Sequence, residues 1–350
     1  MTAAGHVGLQ RVYFTCNACL SGSYAGDLRL GVEGAQTTQA RRLICLAATS
    51  WSFEGAARRL REFCGLPVSR GTIRNVADSQ AKRVEHWQID APAARQKFRE
   101  TSGEIEFETD GTCVNTDTGW REMRVGIFAK RVLGEPAPPE SWDQRQLPAP
   151  GARYAFAAIE SSADFTARWP QVASRLGIRS RDRIDVLADG ARWIWEGVEL
   201  HWSHADGALD VFHALEHVAQ TAKALYGDRS PQAQRWNDRA RDTLLAEGWP
   251  GMSRLIDESR VDAVRAPQRD AVTALERYLS PHANRLRYAQ RLAEGRTIGS
   301  GLVEGACKQL IGRRLKQTGA RWKVPRVNRM ANLCALLYNE QWDTYWAQAA

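Results

Sequence analysis

Two strand-like stretches that each run into an Asp-Gly pair constrain this chain most. Residues 183–195 read RIDVLADGARWIW, in which Ile184, Val186 and Ala188 alternate with the period of a half-buried strand. The run stops on Asp189-Gly190, a turn dipeptide. A strand fixes its terminal side chain and the following loop exposes it, which suits a metal-binding or catalytic carboxylate. Asp-Gly also serves as a plain turn, and Asp189 taken alone says no more than that. Residues 103–112, GEIEFETDGT, end the same way, on Asp110-Gly111. Two strand-end aspartates predict a shared sheet edge at which both carboxylates meet one cation.

The rest of the chain supplies a frame for that edge. From residue 103 the expected elements are strands over Ile105–Thr112, Trp120–Val132 and Tyr154–Ile159. A helix follows over Ala163–Leu176, then a strand over Ile184–Asp189, a helix from Trp193 and a short strand Leu209–Phe212 leading into His213. Residues 134–153, rich in Pro and Gly, read as a long exposed hairpin loop. Three strands, a helix, a strand, a helix and a strand is the order of an RNase H-like α/β fold, in which the ends of the first and fourth strands lie side by side. Residues 214–297 are helical throughout, with breaks near 228–231, 248–251, 267 and 281. They are too long for a connection and read as an inserted all-helical domain. Residues 298–322 then open on Gly-Ser-Gly, with Ser300 as the expected helix cap. At 100° per residue Val303, Ala306, Cys307 and Leu310 share one face, and Glu304 borders it. A final helix is expected over Val327–Trp346.

Before the sheet, residues 37–100 read as short helices. Phe53, Ala56, Ala57, Leu60 and Cys64 keep helical spacing, Gly65-Leu66-Pro67 breaks it, and Ser69 caps the next helix. That helix carries Ile73 and Val76 inwards and Arg70 and Arg74 outwards. The pattern is that of a helix-turn-helix DNA-binding region; a helical bundle with a solvated basic face has the same spacing. Residues 1–36 hold Cys16 and Cys19, a C-x-x-C after an aromatic strand. This is half of a zinc ribbon by spacing, and one pair does not close a tetrahedral Zn²⁺ site. Cys45, Cys64, Cys307 and Cys334 sit among apolar residues and read as small core residues of a reducing compartment.

Charge decides which partners are considered. The chain has 48 Lys and Arg against 40 Asp and Glu, a net charge of +8, which points towards nucleic acid. No apolar run is long enough to span a bilayer and residues 1–10 lack a signal-peptide core, so the expectation is a cytoplasmic, nucleoid-associated protein with no membrane partner. Seven cations, Arg313, Arg314, Lys316, Arg321, Lys323, Arg326 and Arg329, follow the segment of Glu304 and Lys308. Such a run is often only a solvated face. It also holds Trp322, an aromatic available to stack on a base. The expectation is a clamp on phosphates flanking the reacting bond.

Asp110, Asp189 and Glu304 fall on three elements that this fold brings together. Three carboxylates suit two Mg²⁺ (or Mn²⁺) ions. For Glu304 the alternative is a surface pair with Lys308 four residues on. The blocks ETDGT, DGARWIW, LDVFHALEH, IGSGLVEGACKQLIGRRLKQTGARW and WDTYW resemble the ISKra-type insertion-sequence transposases, within the Mutator-like group of DDE transposases. The resemblance runs from about Leu9 to the C-terminus. It implies a triad of Asp110, Asp189 and Glu304 on an RNase H-like catalytic core with a helical insertion. It also carries a motif of an acidic residue just before a histidine onto Asp210 and His213. Relatives have a further N-terminal region before the C-x-x-C segment, so the expectation is a truncated copy or a late start codon.

The expected organisation is therefore a partial zinc ribbon (1–36), a helix-turn-helix region (37–100), a catalytic core (101–213), a helical insertion (214–297) and the Glu-bearing remainder of the core (298–350). The implied activity is two-metal cutting and joining of DNA at element ends. The implied partners are double-stranded DNA and further copies of the chain, as a homodimer or higher oligomer on that DNA. The alternatives are a non-catalytic DNA-binding repressor derived from a transposase, and an RNase H-like nuclease without strand transfer.

Overall fold

The computed structural model describes residues 1–27 and 29–349. The chain starts with a hairpin of β1 (Tyr13–Thr15) and β2 (Gly22–Tyr24), then a short ladder of β3 (Val32–Glu33) and β4 (Gln36–Thr37). Four helices follow: α1 (Thr38–Ser50), α2 (Phe53–Cys64), α3 (Arg70–Asp90) and α4 (Ala93–Glu100). Next come β5 (Glu104–Thr116), β6 (Gly119–Arg131), β7 (Ala152–Ala158), α5 (Ser162–Arg175), β8 (Ile184–Ala188), α6 (Arg192–His201) and β9 (Asp206–Leu209). The helical stretch is α7 (Val211–Tyr226), α8 (Pro231–Asp262), α9 (Ala266–Leu279) and α10 (Tyr288–Ala293). The chain closes with α11 (Gly301–Ala306), a π-helical segment Cys307–Gly312, α12 (Arg313–Leu315), α13 (Val324–Tyr338) and α14 (Trp342–Gln348).

The molecule is mixed α/β, with a five-stranded mixed sheet in the order β7-β6-β5-β8-β9. β5 and β6 form a long antiparallel hairpin, paired from Glu104↔Arg131 to Thr116↔Gly119. β8 joins β5 in parallel, β9 joins β8 in parallel, and β7 pairs antiparallel with β6. Alternation along the strands sends side chains to two cores. Phe107, Phe128, Ile184 and Val186 face α5 and α6, packing against Phe165, Trp169 and Trp202. Val114, Val125, Ile127 and Ala155 face the other way, into one core with Ile44, Ile73 and Val84 of α1–α3 and Leu310, Leu333 and Trp346 near the C-terminus. A third core, including Val218, Leu244, Leu255, Val272 and Tyr288, holds the helices between Leu209 and Ile298.

Several boundaries differ from expectation. β5 does not end at Asp110-Gly111 but runs on to Thr116, because β6 pairs with it along its full length. What ends there is the pairing with the much shorter β8. The strand expected over Leu209–Phe212 is β9, which stops at Leu209, and Val211 and Phe212 already belong to α7. The 134–153 segment is not a free hairpin loop. It folds back on the end of the helical stretch, with Gly134 N–H bonded to Gly295 O and Ala137 N–H to Leu292 O. The expected C-terminal helix is two, parted at Glu340, whose φ is 57°. Asn339 at that break both donates to and accepts from Ala155 of β7, covering the sheet edge. No helix among the described residues is long and apolar enough to cross a membrane.

Candidate active site

Sheet register sets two of the three carboxylates side by side. The last parallel pair of β5 and β8 is Glu108↔Leu187. Two residues further on, on the same faces, stand Asp110 and Asp189, and neighbouring strands run about 4.8 Å apart. Asp189 sits in the turn after β8. Its Oδ1 accepts the Ala191 N–H at 2.9 Å and its carbonyl accepts the Trp195 indole N–H at 2.7 Å. Tyr278 of α9 packs over this turn so closely that a Cβ added at Gly190 would collide with its ring, so only glycine fits.

Glu304 reaches the same place by a different route. The Val303 N–H donates to Glu108 Oε2 at 2.8 Å, pinning the start of α11 to β5. One turn on, Cys307 Sγ lies 4.0 Å from Asp110 Oδ2. The chain then widens into the π-helical segment, a local irregularity frequent at functional sites. Glu304 also pairs with Lys308, Nζ to Oε2 at 3.2 Å, so the surface pairing raised as the alternative is present as well.

Burial pushes the Asp110 carboxyl above its ordinary value; the negative charges of Asp189 and Glu304 add to the rise and His213 offsets it. Asp110 thus lies close enough to Asp189 and to Glu304 for both charges to act on it. The donor chemistry fits a hard divalent cation, since every donor is a carboxylate oxygen and a cation would relieve that repulsion. Asp189 Oδ2 and Glu304 Oε1 have no hydrogen-bond partner among the described residues. The three side chains are not drawn into a closed shell: no group of three or more His, Cys, Asp or Glu among the described residues is arranged to hold a metal ion.

Asp210 and His213 sit beside these carboxylates and differ in their surroundings. Asp210 is fully buried and caps α7, its Oδ1 accepting the His213 N–H at 2.9 Å. Its Oδ2 accepts both the N–H and the hydroxyl of Ser300 at 2.5 Å. Ser300 therefore does not cap its own helix, as expected from sequence; its side chain is committed to Asp210. Burial alone would raise Asp210, but these hydrogen bonds outweigh it and hold the carboxyl at about 2. His213 Nδ1 lies 3.2 Å from Asp210 Oδ1, and that contact lifts the imidazole to about 9 against the pull of burial.

Two residues essential to this geometry escape a reading of the sequence. Glu108 is buried, accepts from Val303, and is pushed well above the carboxylate range by burial. A signal for it exists: Glu104, Glu106, Glu108 and Asp110 alternate on one face of a central strand, where acids are rare. Tyr278 has no such signal, because only the packing of α9 brings it to Gly190.

The expected DNA-contacting cations divide. Arg70, Arg74, Arg313, Lys316, Arg321 and Lys323 are exposed. Arg74, Arg321, Lys323 and Arg326 line a groove of about 410 Å³ between α2–α3 and the loop before α13. Arg70 and Arg74 lie at the start of α3, after the Ser69 cap whose side chain accepts the Thr72 N–H at 3.1 Å. Arg314 and Trp322 contradict expectation. Arg314 is buried, donates to Ala48 O, lies over the rings of Phe53 and Trp322, and is pushed down to about 10 by burial. Trp322 is only 5% exposed and donates to Leu315 O at 3.0 Å. The reason is the return of residues 316–323 onto the tip of the β5–β6 hairpin, where Trp322 pairs with Asn115 and Asp117 through the backbone. Arg329 and Arg326 turn towards Asp78, at 2.7 and 3.8 Å.

Cys16 and Cys19 are exposed at the turn joining β1 and β2. Hydrogen bonding to Ser21, with a smaller contribution from Cys16, lowers the Cys19 thiol to about 7. Two thiols are the whole donor set there, since the described residues bring no third ligand. No protein-family model matches the chain, and no curated protein matches it either.

Proposed function

We propose that this chain is a DDE transposase of an insertion sequence, cutting and joining DNA strands on an RNase H-like core with a helical insertion between Asp189 and Glu304. The observation that supports it most is the convergence of three carboxylates from three elements. Asp110 and Asp189 meet through the register of β5 and β8, and Glu304 meets them through the Val303–Glu108 hydrogen bond. The parallel centre flanked by an antiparallel hairpin, in the order β7-β6-β5-β8-β9, supports the fold assignment.

Asp110, Asp189 and Glu304 would hold Mg²⁺ or Mn²⁺. Such ions, when bound, sharpen an attacking water or 3′-hydroxyl and stabilise the leaving oxygen. The chain's own residues do the rest. Glu108 and Ser300, the latter through Asp210, fix α11 against the sheet so that Glu304 is aimed before substrate arrives. The His213 imidazolium offsets the negative field of the carboxylates where a phosphodiester must approach. The exposed cations of the α2–α3 groove hold the DNA backbone, further copies of the chain assemble on that DNA, and the Cys16–Cys19 turn supplies half of a Zn²⁺ site.

Labelled DNA carrying the element's ends, with and without Mg²⁺, tests this reading. Asp110→Asn, Asp189→Asn and Glu304→Gln should each abolish nicking and leave gel-shift affinity nearly intact, because affinity comes from Lys and Arg contacts elsewhere. Nicking that survives one of these changes removes that residue from the triad. The Lys308–Glu304 pair favours a second reading, DNA binding without catalysis. Wild-type chain that shifts the DNA but never nicks it selects that reading.

A further inference from the structure

The hairpin of β1 and β2 stands apart from the rest of the packing. Every strand residue in it is exposed, and none of residues 12–24 enters the three apolar cores. Tyr13, Phe14 and Leu20 are 57%, 55% and 79% exposed. A two-stranded hairpin with no core beneath it is marginal in water, so this one calls for a metal or a partner. Its turn carries Cys16 and Cys19. The Cys16 N–H donates to Ser21 O at 2.8 Å and the Leu20 N–H to Cys16 O at 2.9 Å, which closes the turn. Leu20 holds it in the left-handed region, at a φ of 58°, a conformation uncommon for a non-glycine residue. Cys19 Sγ lies 3.0 Å from Ser21 Oγ. Hydrogen bonding to Ser21, and more weakly to Cys16, holds the Cys19 thiol at about 7, so the two sulfurs sit together and one is partly thiolate at neutral pH.

Two thiolates in one such turn are half of a tetrahedral Zn²⁺ shell. A single copy does not complete it among the described residues. The carboxylates of residues 1–36 are Asp27 and Glu33. Asp27 is paired with Arg11 at 2.7 Å, and Glu33 with Arg41 at 2.8 Å and Arg83 at 2.5 Å. A second copy brings what is lacking, two more thiols at the same spacing. Charge selects this face for it. Copies of a chain with a net charge of +8 repel one another, but residues 12–26 carry no charged side chain. We propose that the turns of two copies close one Zn²⁺ between them, each giving Cys16 and Cys19, with the exposed Phe14 and Leu20 of both copies covering the ion. The contact is two-fold, the same patch meeting itself. The proposal rests on the reading of this turn as half of a Zn²⁺ site and is independent of the three carboxylates.

The test uses the full chain without DNA, reduced by a phosphine, with Co²⁺ as the probe and Zn²⁺ as its competitor. Thiolate ligands give Co²⁺ an intense charge-transfer band that counts them, and carboxylate ligands do not. One thiolate-bound Co²⁺ per two chains is expected, with four thiolates per ion. The mass from light scattering should double on loading and halve again in EDTA. Zn²⁺ should remove the band and keep the doubled mass. Cys16→Ser with Cys19→Ser should lose the band and the doubling. Its melting temperature in EDTA should equal that of wild type, because the hairpin lies outside the three cores. Leu20→Asp keeps both thiols, suits the left-handed conformation, and sets like charges against each other across the contact. It should raise the dissociation constant of the pair about 10-fold or more. This variant carries the test if the double serine variant fails to melt cooperatively.

One thiolate-bound Co²⁺ per chain, with two thiolates and the mass of a single chain, overturns closure by a second copy and leaves the half-site standing. No thiolate band at any Co²⁺ concentration overturns both. A mass that ignores the metal and both cysteines puts the contact between copies elsewhere and overturns the proposal. Nicking is read in none of these arms, so the catalytic assignment stands or falls by its own test.

Discussion

Asp210 has no exposed surface and spends both oxygens on donors from α7 and the start of α11. Its replacement by Ala removes a helix cap, roughly 1 kcal/mol, and strands buried donors at about 1–3 kcal/mol. Asp210→Ala should therefore cost about 2–4 kcal/mol of stability, read from urea midpoints at constant slope. The partner, His213, has a sign that can be tested. Its folded value of about 9 exceeds the ordinary imidazole value of 6.5. The folded state thus binds the proton more tightly, so the stabilisation is complete below pH 6.5 and disappears as the pH rises through 9. Melting temperatures of wild type and His213→Gln should converge across that window; a constant difference would show that the ion pair is not what holds the proton.

Elements are tied together by buried charge and by one kink. Asp185 on β8 is buried and pairs with Arg296 at 2.5 Å and Arg291 at 3.2 Å, both from the end of the helical stretch. Arg291 also reaches Asp206 of β9 at 3.2 Å. This network ties the end of the helical stretch to the parallel strands, alongside the apolar core that joins Leu209 and Val211 to the helices. Asp185→Ala leaves two guanidiniums buried beside an empty site and should cost about 3–5 kcal/mol, measured by urea unfolding. The kink lies at Gly248 in α8, with φ of 60° and ψ of −140°. A Cβ there would collide with Leu286 O. Gly248→Ala should destabilise by about 1–3 kcal/mol, whereas an alanine scan of exposed positions in the same helix should change the melting point little. An unaffected midpoint for Gly248→Ala would mean that α8 straightens without consequence.

Across the whole molecule, the proposed DNA surface is narrower than the sequence's basic run. Each phosphate that the protein ceases to neutralise flattens the plot of log affinity against log salt by about 0.9 for duplex DNA. Arg74→Ala with Lys323→Ala, two exposed cations of one groove, should lower the slope by up to about 1.8 and weaken binding alike for all sequences. Arg314→Ala should act differently. Its guanidinium is buried between α1 and two aromatic rings, so the change should lower the melting point. Equal slopes for wild type and the Arg74, Lys323 double variant would place the DNA elsewhere.

What the sequence determined by itself was local. Alternation in Ile184–Ala188 marked β8, the Asp189-Gly190 turn ended it, Ser69 started α3, and the order of strands and helices from residue 104 matched the observed elements. These follow from backbone period and capping, which act over a few residues. Asp110 was singled out for the wrong reason: Asp-Gly looked like a strand end, but β6 carried the strand past it, and only pairing with the short β8 stopped there. Tertiary structure alone decided which charges are free. Trp322 and Arg314 look exposed in a run of cations, yet residues far away in sequence, Phe53, Ala48 and the tip of the β5–β6 hairpin, close over them. Burial is a property of what packs against a side chain, which no local pattern encodes.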